Sequence, residues 1–226
     1  MSVKNTRDLL VWLHVVSSVA WMSQALALLA LLITGMSAGD PTVRLSAYSM
    51  AEVLDREVLL YMANASIFSG LMLSALTPWG YFRYWWVLAK FVITLSQLYV
   101  GIFVLSPRLT ALAQAAEQGL AGSPFFLIVG SLLMASAIAF QAWLSVAKPW
   151  KRTPWAESAG KPKKLPTGPK WMFLFSAVAP VVDYLFGKYV LGFPLPIVVL
   201  LTAIAYPIWR ARQLQREMDA PALNTA

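Results

Sequence analysis

Four ionisable side chains stand inside or at the edge of long apolar runs of this 226-residue sequence: His14, Glu57, Lys90 and Asp183. Charge at membrane depth is costly, so each is a candidate for chemistry. His14 is the only histidine, and there is no cysteine. Disulfides, thiolate metal sites, iron–sulfur clusters, cysteine nucleophiles and multi-histidine sites within one chain are therefore excluded. Steps of three and four residues from His14 reach Ser17, Ser18, Trp21, Gln24 and Ala25, which share one helix face. Lipid cannot satisfy hydroxyls or an imidazole, so that face must turn toward protein or a cavity. At ~1.5 Å rise per residue, His14 lies about 9 Å and Lys90 about 7–8 Å in from the same membrane face, one shared layer. Lys90 begins a stripe through Thr94, Gln97 and Gly101, and a later run offers Gly130, Met134, Ala137 and Gln141. Small and amide-bearing positions of this kind let helices approach and hydrogen-bond.

An ammonium beside an imidazole disfavours a bare metal cation and favours an anionic ligand such as a carboxylate or a porphyrin propionate. The candidate binding set is His14, Lys90, Trp21, Ser17, Gln97 and Gln141, with His14 the one candidate metal ligand. Two plainer readings stand beside it. Lys90 snorkels to the nearby interface, or His14 is a neutral ring bonded to a serine or carbonyl of a neighbouring helix. Glu57 and Asp183 form a second candidate group at the opposite end, an acid pair able to move protons or hold a cation. The alternative there is salt bridging with Arg56 and Lys188 at the headgroups.

These residues ride on elements that the composition makes plain. The chain is 59% hydrophobic and 12% charged, against about one-quarter charged for a soluble domain. The expected fold is an all-α polytopic membrane protein of about six spans. Residues 1–147 would form a four-helix transmembrane bundle, 148–170 a basic Pro/Lys-rich linker that is extended or disordered, 171–210 a C-terminal transmembrane hairpin, and 211–226 a tail. The spans are read at residues 8–36, 57–76, 85–105, 124–147, 171–187 and 195–209, with an amphipathic piece before the second and a turn, TPWG, after it. The first run exceeds the ~20 apolar residues that cross a bilayer, and the others should pack around it. It is too long for a cleaved signal peptide. The last two carry Pro180, Pro196 and Pro207, so a re-entrant hairpin is an alternative to two crossings.

With the linker placed in the cytoplasm, thirteen cations fall on that side and Arg44, Arg56, Arg108 and Lys188 on the other. The positive-inside rule then puts both termini in the cytoplasm. The net charge of +8 fits a membrane surface, and no basic–aromatic patch suits nucleic acid.

The stretches LHVVSSVAW, TPWGYFRYWWVLAK and SPRLTALA resemble a group of bacterial four-helix membrane modules. The group comprises the copper-resistance protein D family, the membrane protoporphyrinogen oxidase family and a set of uncharacterised integral membrane proteins common in actinobacteria, the last being the most similar. The resemblance covers the first four spans. It implies a bundle in a bacterial plasma (inner) membrane with His14 and Lys90 pointing inward, and b-type haem or copper as the cofactor to consider. The sequence departs from the oxidase pattern in two places. Gln97, Tyr99 and Gly101 stand where an inward histidine is expected on the third span, and Met22 replaces a small residue after Trp21. Haem would have one histidine ligand per chain, with Met62, Met134 or Tyr99 as partners, or a second His14 from a homodimer.

Three functions follow as expectations. The first is a membrane protein binding a cofactor or small amphiphilic, anionic molecule in the bundle, with haem- or copper-related redox as one form. The second is a membrane enzyme or transporter acting on an apolar or isoprenoid-type substrate through Glu57 and Asp183. The third is an accessory subunit of a membrane complex.

Overall fold

The computed structural model describes residues 2–157, 166–191 and 197–219. The middle of the expected linker (158–165), residues 192–196 of the expected last turn and the end of the tail lie outside the described residues. The described chain is all-α, with six helices long and apolar enough to cross a membrane. They are span one (Val3–Ser37), span two (Pro41–Leu76), span three (Trp85–Glu117), span four (Phe125–Ala147), span five (Lys170–Leu191) and span six (Ile197–Leu214), the helix of the last continuing to Asp219. Spans five and six are thus each long enough for a full crossing, at 22 and 18 residues.

Span one lies at the centre. It packs against both halves of span two and against spans four and five. Its first turn is capped by Ser2, whose hydroxyl accepts from the Asn5 amide at 3.2 Å. At its other end Gly35 lets the ring of Tyr48 lie directly on the backbone, where any β-carbon would collide.

The second span differs from expectation. The charged run Asp55–Arg56–Glu57 reads as a boundary, yet the helix passes straight through it from Pro41 to Leu76 by way of one π-helical turn, Asp55–Leu59. Asp40 caps its start, accepting from the Thr42 amide at 2.8 Å, and Pro41 sits in the first turn where its missing N–H costs nothing. Its 36 residues span roughly 54 Å at ~1.5 Å each, well beyond the ~30 Å of a hydrocarbon core. The excess pairs with Ser106–Glu117 at the end of span three and with the end of span one. Leu28, Leu32, Tyr48, Ala51, Leu109 and Leu112 close this extension as one apolar cluster.

Spans five and six are continuous with the rest. Phe173 and Tyr206 pack with Leu10 of span one and with Phe68, Met72 and Leu76 of span two. The described parts of the linker are pinned to the turn after span two. Thr153 donates its amide to Arg83 O at 3.0 Å and its hydroxyl to Phe82 O at 2.7 Å, and the Gly168 amide reaches Leu76 O at 2.7 Å. Arg210, one of the thirteen cations counted on the cytoplasmic side, is buried and donates to the carbonyls of Ala75 and Pro166. It thereby covers Ala75 O, a carbonyl that the end of span two leaves without a helical partner.

Candidate functional site

Two polar seams run through the spans near the end that carries the N-terminus. The first joins spans one and two. His14 Nδ1 lies 3.0 Å from Ser66 O and 3.1 Å from Ser69 Oγ. A carbonyl only accepts, so Nδ1 carries the ring proton, and the lone pair of the neutral imidazole sits on Nε2. Gly70 makes room for the ring: a β-carbon there would stand 2.9 Å from His14 Cε1. Ser18 continues the seam, bonded to Ser66 Oγ at 2.6 Å and to His14 O at 2.6 Å. Ser17 is buried but spends its hydroxyl on its own helix, donating to Leu13 O at 2.7 Å. Trp21 packs against Ala63 and Ile138.

The second seam joins spans three and four. Lys90 Nζ donates to Ser145 Oγ at 2.6 Å, and Ser145 donates onward to Gln141 O at 3.0 Å. Gln141 Nε2 donates to Gln97 Oε1 at 2.5 Å, and Thr94 Oγ1 donates to Gln141 Oε1 at 2.9 Å. Gln97 Nε2 reaches Met134 O at 3.2 Å. Both amides are almost fully buried, at 5% and 8% exposure, so the ladder satisfies groups that lipid could not.

The expected ligand set therefore divides. Gln97, Gln141, Ser17 and Trp21 are committed to bonds or packing within the bundle. His14 and Lys90 keep valence to spare. Nε2 of His14 has no hydrogen-bond partner among the described residues. Lys90 has given one of its three N–H groups to a neutral hydroxyl and faces no carboxylate among them. The two come from different seams, His14 on span one and Lys90 on span three.

The acidic candidates do not form a pair. Asp183, 5% exposed, accepts from the Val198 and Val199 amides at 3.0 and 2.7 Å. Both oxygens cap the first turn of span six, where amides and helix dipole favour a carboxylate. Glu57 is exposed and bridges Lys188 at 3.0 Å. Arg56 turns instead to Glu52 and Thr110, at 2.9 and 3.0 Å, and Asp55 accepts from Ser106 Oγ at 2.6 Å. Salt bridging describes Glu57; helix capping describes Asp183.

The donors can be tested against the cofactors that the resemblance implies. Among the described residues no three of His, Asp or Glu gather into a metal site. Copper would find one imidazole and no thiolate, which does not fit. A haem ligated on both faces does not fit within one chain either. Tyr99 is 63% exposed on the outside of span three, the Met134 sulfur accepts from Gln97 at 3.7 Å, and Met62 packs in the apolar Trp21 cluster.

Sequence reasoning missed Ser66, Ser69, Gly70 and Ser145. Ser66, Ser69 and Gly70 fall at i, i+3 and i+4, a small polar face that marks a close helix contact, and that spacing could have pointed to the partner of His14.

The fold and seams define an all-α polytopic protein with an embedded imidazole and ammonium. No family model matches the chain, and neither a curated protein nor a solved structure is similar to it.

Proposed function

We propose that this is a bacterial inner-membrane protein, with both termini in the cytoplasm, that binds a small amphiphilic molecule by its polar head between His14 and Lys90. The observation that carries the reading is the His14 ring, anchored through Nδ1 so that Nε2 stays open, together with the Lys90 ammonium of span three, which has no counter-ion among the described residues. An unpaired charge among apolar helices is stabilised when a ligand brings the missing acceptor. The two residues call for complementary chemistry: an O–H or a Lewis acid for Nε2, and an acceptor oxygen for the Lys90 N–H groups. A carboxyl head offers both, its O–H to the imidazole and its carbonyl to the ammonium, while the apolar tail lies along Trp21, Met22 and Met62. A porphyrin would enter only with His14 as its single axial ligand from this chain and its propionates toward Lys90. Cytoplasmic termini are supported by the thirteen cations that this choice places inside against four outside.

The test is purification in mild detergent followed by an absorbance spectrum and native mass spectrometry of wild type, His14→Ala and Lys90→Met. The wild type should carry a bound small molecule that both variants lose, and a Soret band would identify it as porphyrin. A wild-type protein of bare polypeptide mass and no colour would refute the proposal.

A further inference from the structure

The turn between spans two and three meets the start of the linker at the end of the bundle that carries the N-terminus, and cations gather there. Tyr84, just before span three, pairs antiparallel with Arg152 of the linker. The Trp85 amide reaches Lys151 O at 3.4 Å, and the Thr153 amide reaches Arg83 O at 3.0 Å. This bridge fixes Lys151 and Arg152 beside the turn. Arg152 lies over the Tyr84 ring, 5.8 Å from its centroid, with Nε 3.5 Å from the Tyr84 hydroxyl. Lys148 Nζ lies 4.7 Å from the centroid of the Trp79 ring, and the rings of Trp79 and Tyr84 meet edge-on at 5.3 Å. Ammonium, two rings and guanidinium form one contiguous surface.

Neither segment brings it a counter-ion. Between Glu57 and Glu157 the sequence holds a single acidic residue, Glu117, at the opposite end of span three. The backbone of Lys148 adds a second sign. This residue ends span four in the left-handed conformation, φ 46° and ψ 55°, a place that glycine takes without strain. A lysine held there keeps its charge over Trp79. The level of the surface identifies its partner. Trp85 opens span three and Lys148 follows the last residue of span four, so these cations stand where spans leave the bilayer. Trp79, Trp85 and Trp150 are 36–45% exposed beside them, as in an interfacial aromatic belt.

We propose that this surface binds an anionic phospholipid, the charges of Lys148, Lys151 and Arg152 drawing its phosphate onto a floor made by the rings of Trp79 and Tyr84. A zwitterionic lipid carries the same phosphate, but its own ammonium would face these cations, so the surface discriminates by head-group charge. The inference goes beyond the His14–Lys90 reading and does not depend on it.

The experiment titrates full-length protein in mild detergent with phosphatidylglycerol or phosphatidylcholine of the same acyl chains, and native mass spectrometry counts the retained lipid. Wild type should retain phosphatidylglycerol in preference. Lys148→Gly and Arg152→Gln should each weaken that retention about fivefold, as expected for one basic residue facing an anionic head group. Arg212→Gln, which removes an exposed cation of span six, should leave it unchanged. Lys148→Gly should melt near the wild-type temperature, because glycine adopts the same φ freely; a much lower one would make the Lys148 contact structural and overturn its role. Equal retention of the two lipids by wild type would overturn the proposal. So would equal losses in all three variants, which would reduce the effect to net charge. Loss of the lipid in inorganic phosphate but not in sodium chloride of the same ionic strength would also overturn it, because the surface would then take a soluble anion.

Discussion

Gly70→Ala tests the contact between spans one and two that aims the His14 ring. The added β-carbon would lie 2.9 Å from His14 Cε1, whereas carbon atoms rest at about 3.5 Å or more. The ring must retreat by about 0.6 Å to reach that separation. Its Nδ1 stands 3.0 Å from Ser66 O, so a retreat of that size stretches the bond to about 3.6 Å, where it no longer counts as one. Overpacking costs about 1–3 kcal/mol and the lost hydrogen bond about 0.5–1.5 kcal/mol. Replacing glycine by alanine inside a helix returns about 1 kcal/mol. The net is a destabilisation of about 1–3 kcal/mol. Gly101→Ala is the control, because a β-carbon there meets nothing within 4 Å and only the gain in helix propensity remains. Thermal unfolding in one detergent should show Gly70→Ala melting several degrees below wild type and Gly101→Ala at or slightly above it. Equal melting temperatures for the two variants would show that the ring does not sit against Gly70, and the argument for its orientation would fail.

Other outcomes follow from the same geometry. Asp183→Ala removes a cap that two backbone amides share and should cost about 1–2 kcal/mol; chemical unfolding measures it, and retention of the bound molecule should not change. Glu57→Gln breaks an exposed, salt-screened pair with Lys188 and should leave the melting temperature at the wild-type value, as surface ion pairs contribute little. A double-mutant cycle between Gln97 and Gln141 should give a coupling near ~0.6 kcal/mol and below ~1.7 kcal/mol, the range found for interhelical bonds in membranes. Thr153→Val removes the hydroxyl that ties the linker to Phe82 O and should speed tryptic cleavage after Lys151 and Arg152, read by limited proteolysis.

The spans were legible in the sequence because apolar length is a local property, and so was the central place of the first, whose polar stripe needs protein on one side. Partners were not legible. Nothing in residues near His14 specifies Ser66 and Ser69, because the register between spans one and two is settled by long-range packing such as Tyr48 on Gly35. The charges at 55–57 imitated a helix boundary since three ionisable residues in a row seldom lie within a span. Their compensation comes from Ser106, Glu52, Thr110 and Lys188, three of which lie on other helices. Asp183 misled for a related reason: a carboxylate in an apolar run reads as reactive, while the helix start that it caps lies fifteen residues away. The open valences of His14 and Lys90 needed coordinates, because only a list of what each atom already bonds to reveals what is left over.

One histidine per chain makes the central claim directly measurable. In full-length protein labelled with nitrogen-15 at histidine, solid-state NMR in bilayers at neutral pH reads a single ring. The account requires Nδ1 protonated and hydrogen-bonded and Nε2 bare, with the Nε2 resonance moving when parinaric acid is added and still in Lys90→Met at the same concentration. A proton on Nε2 in the ligand-free protein, or a spectrum indifferent to the acid, would contradict it.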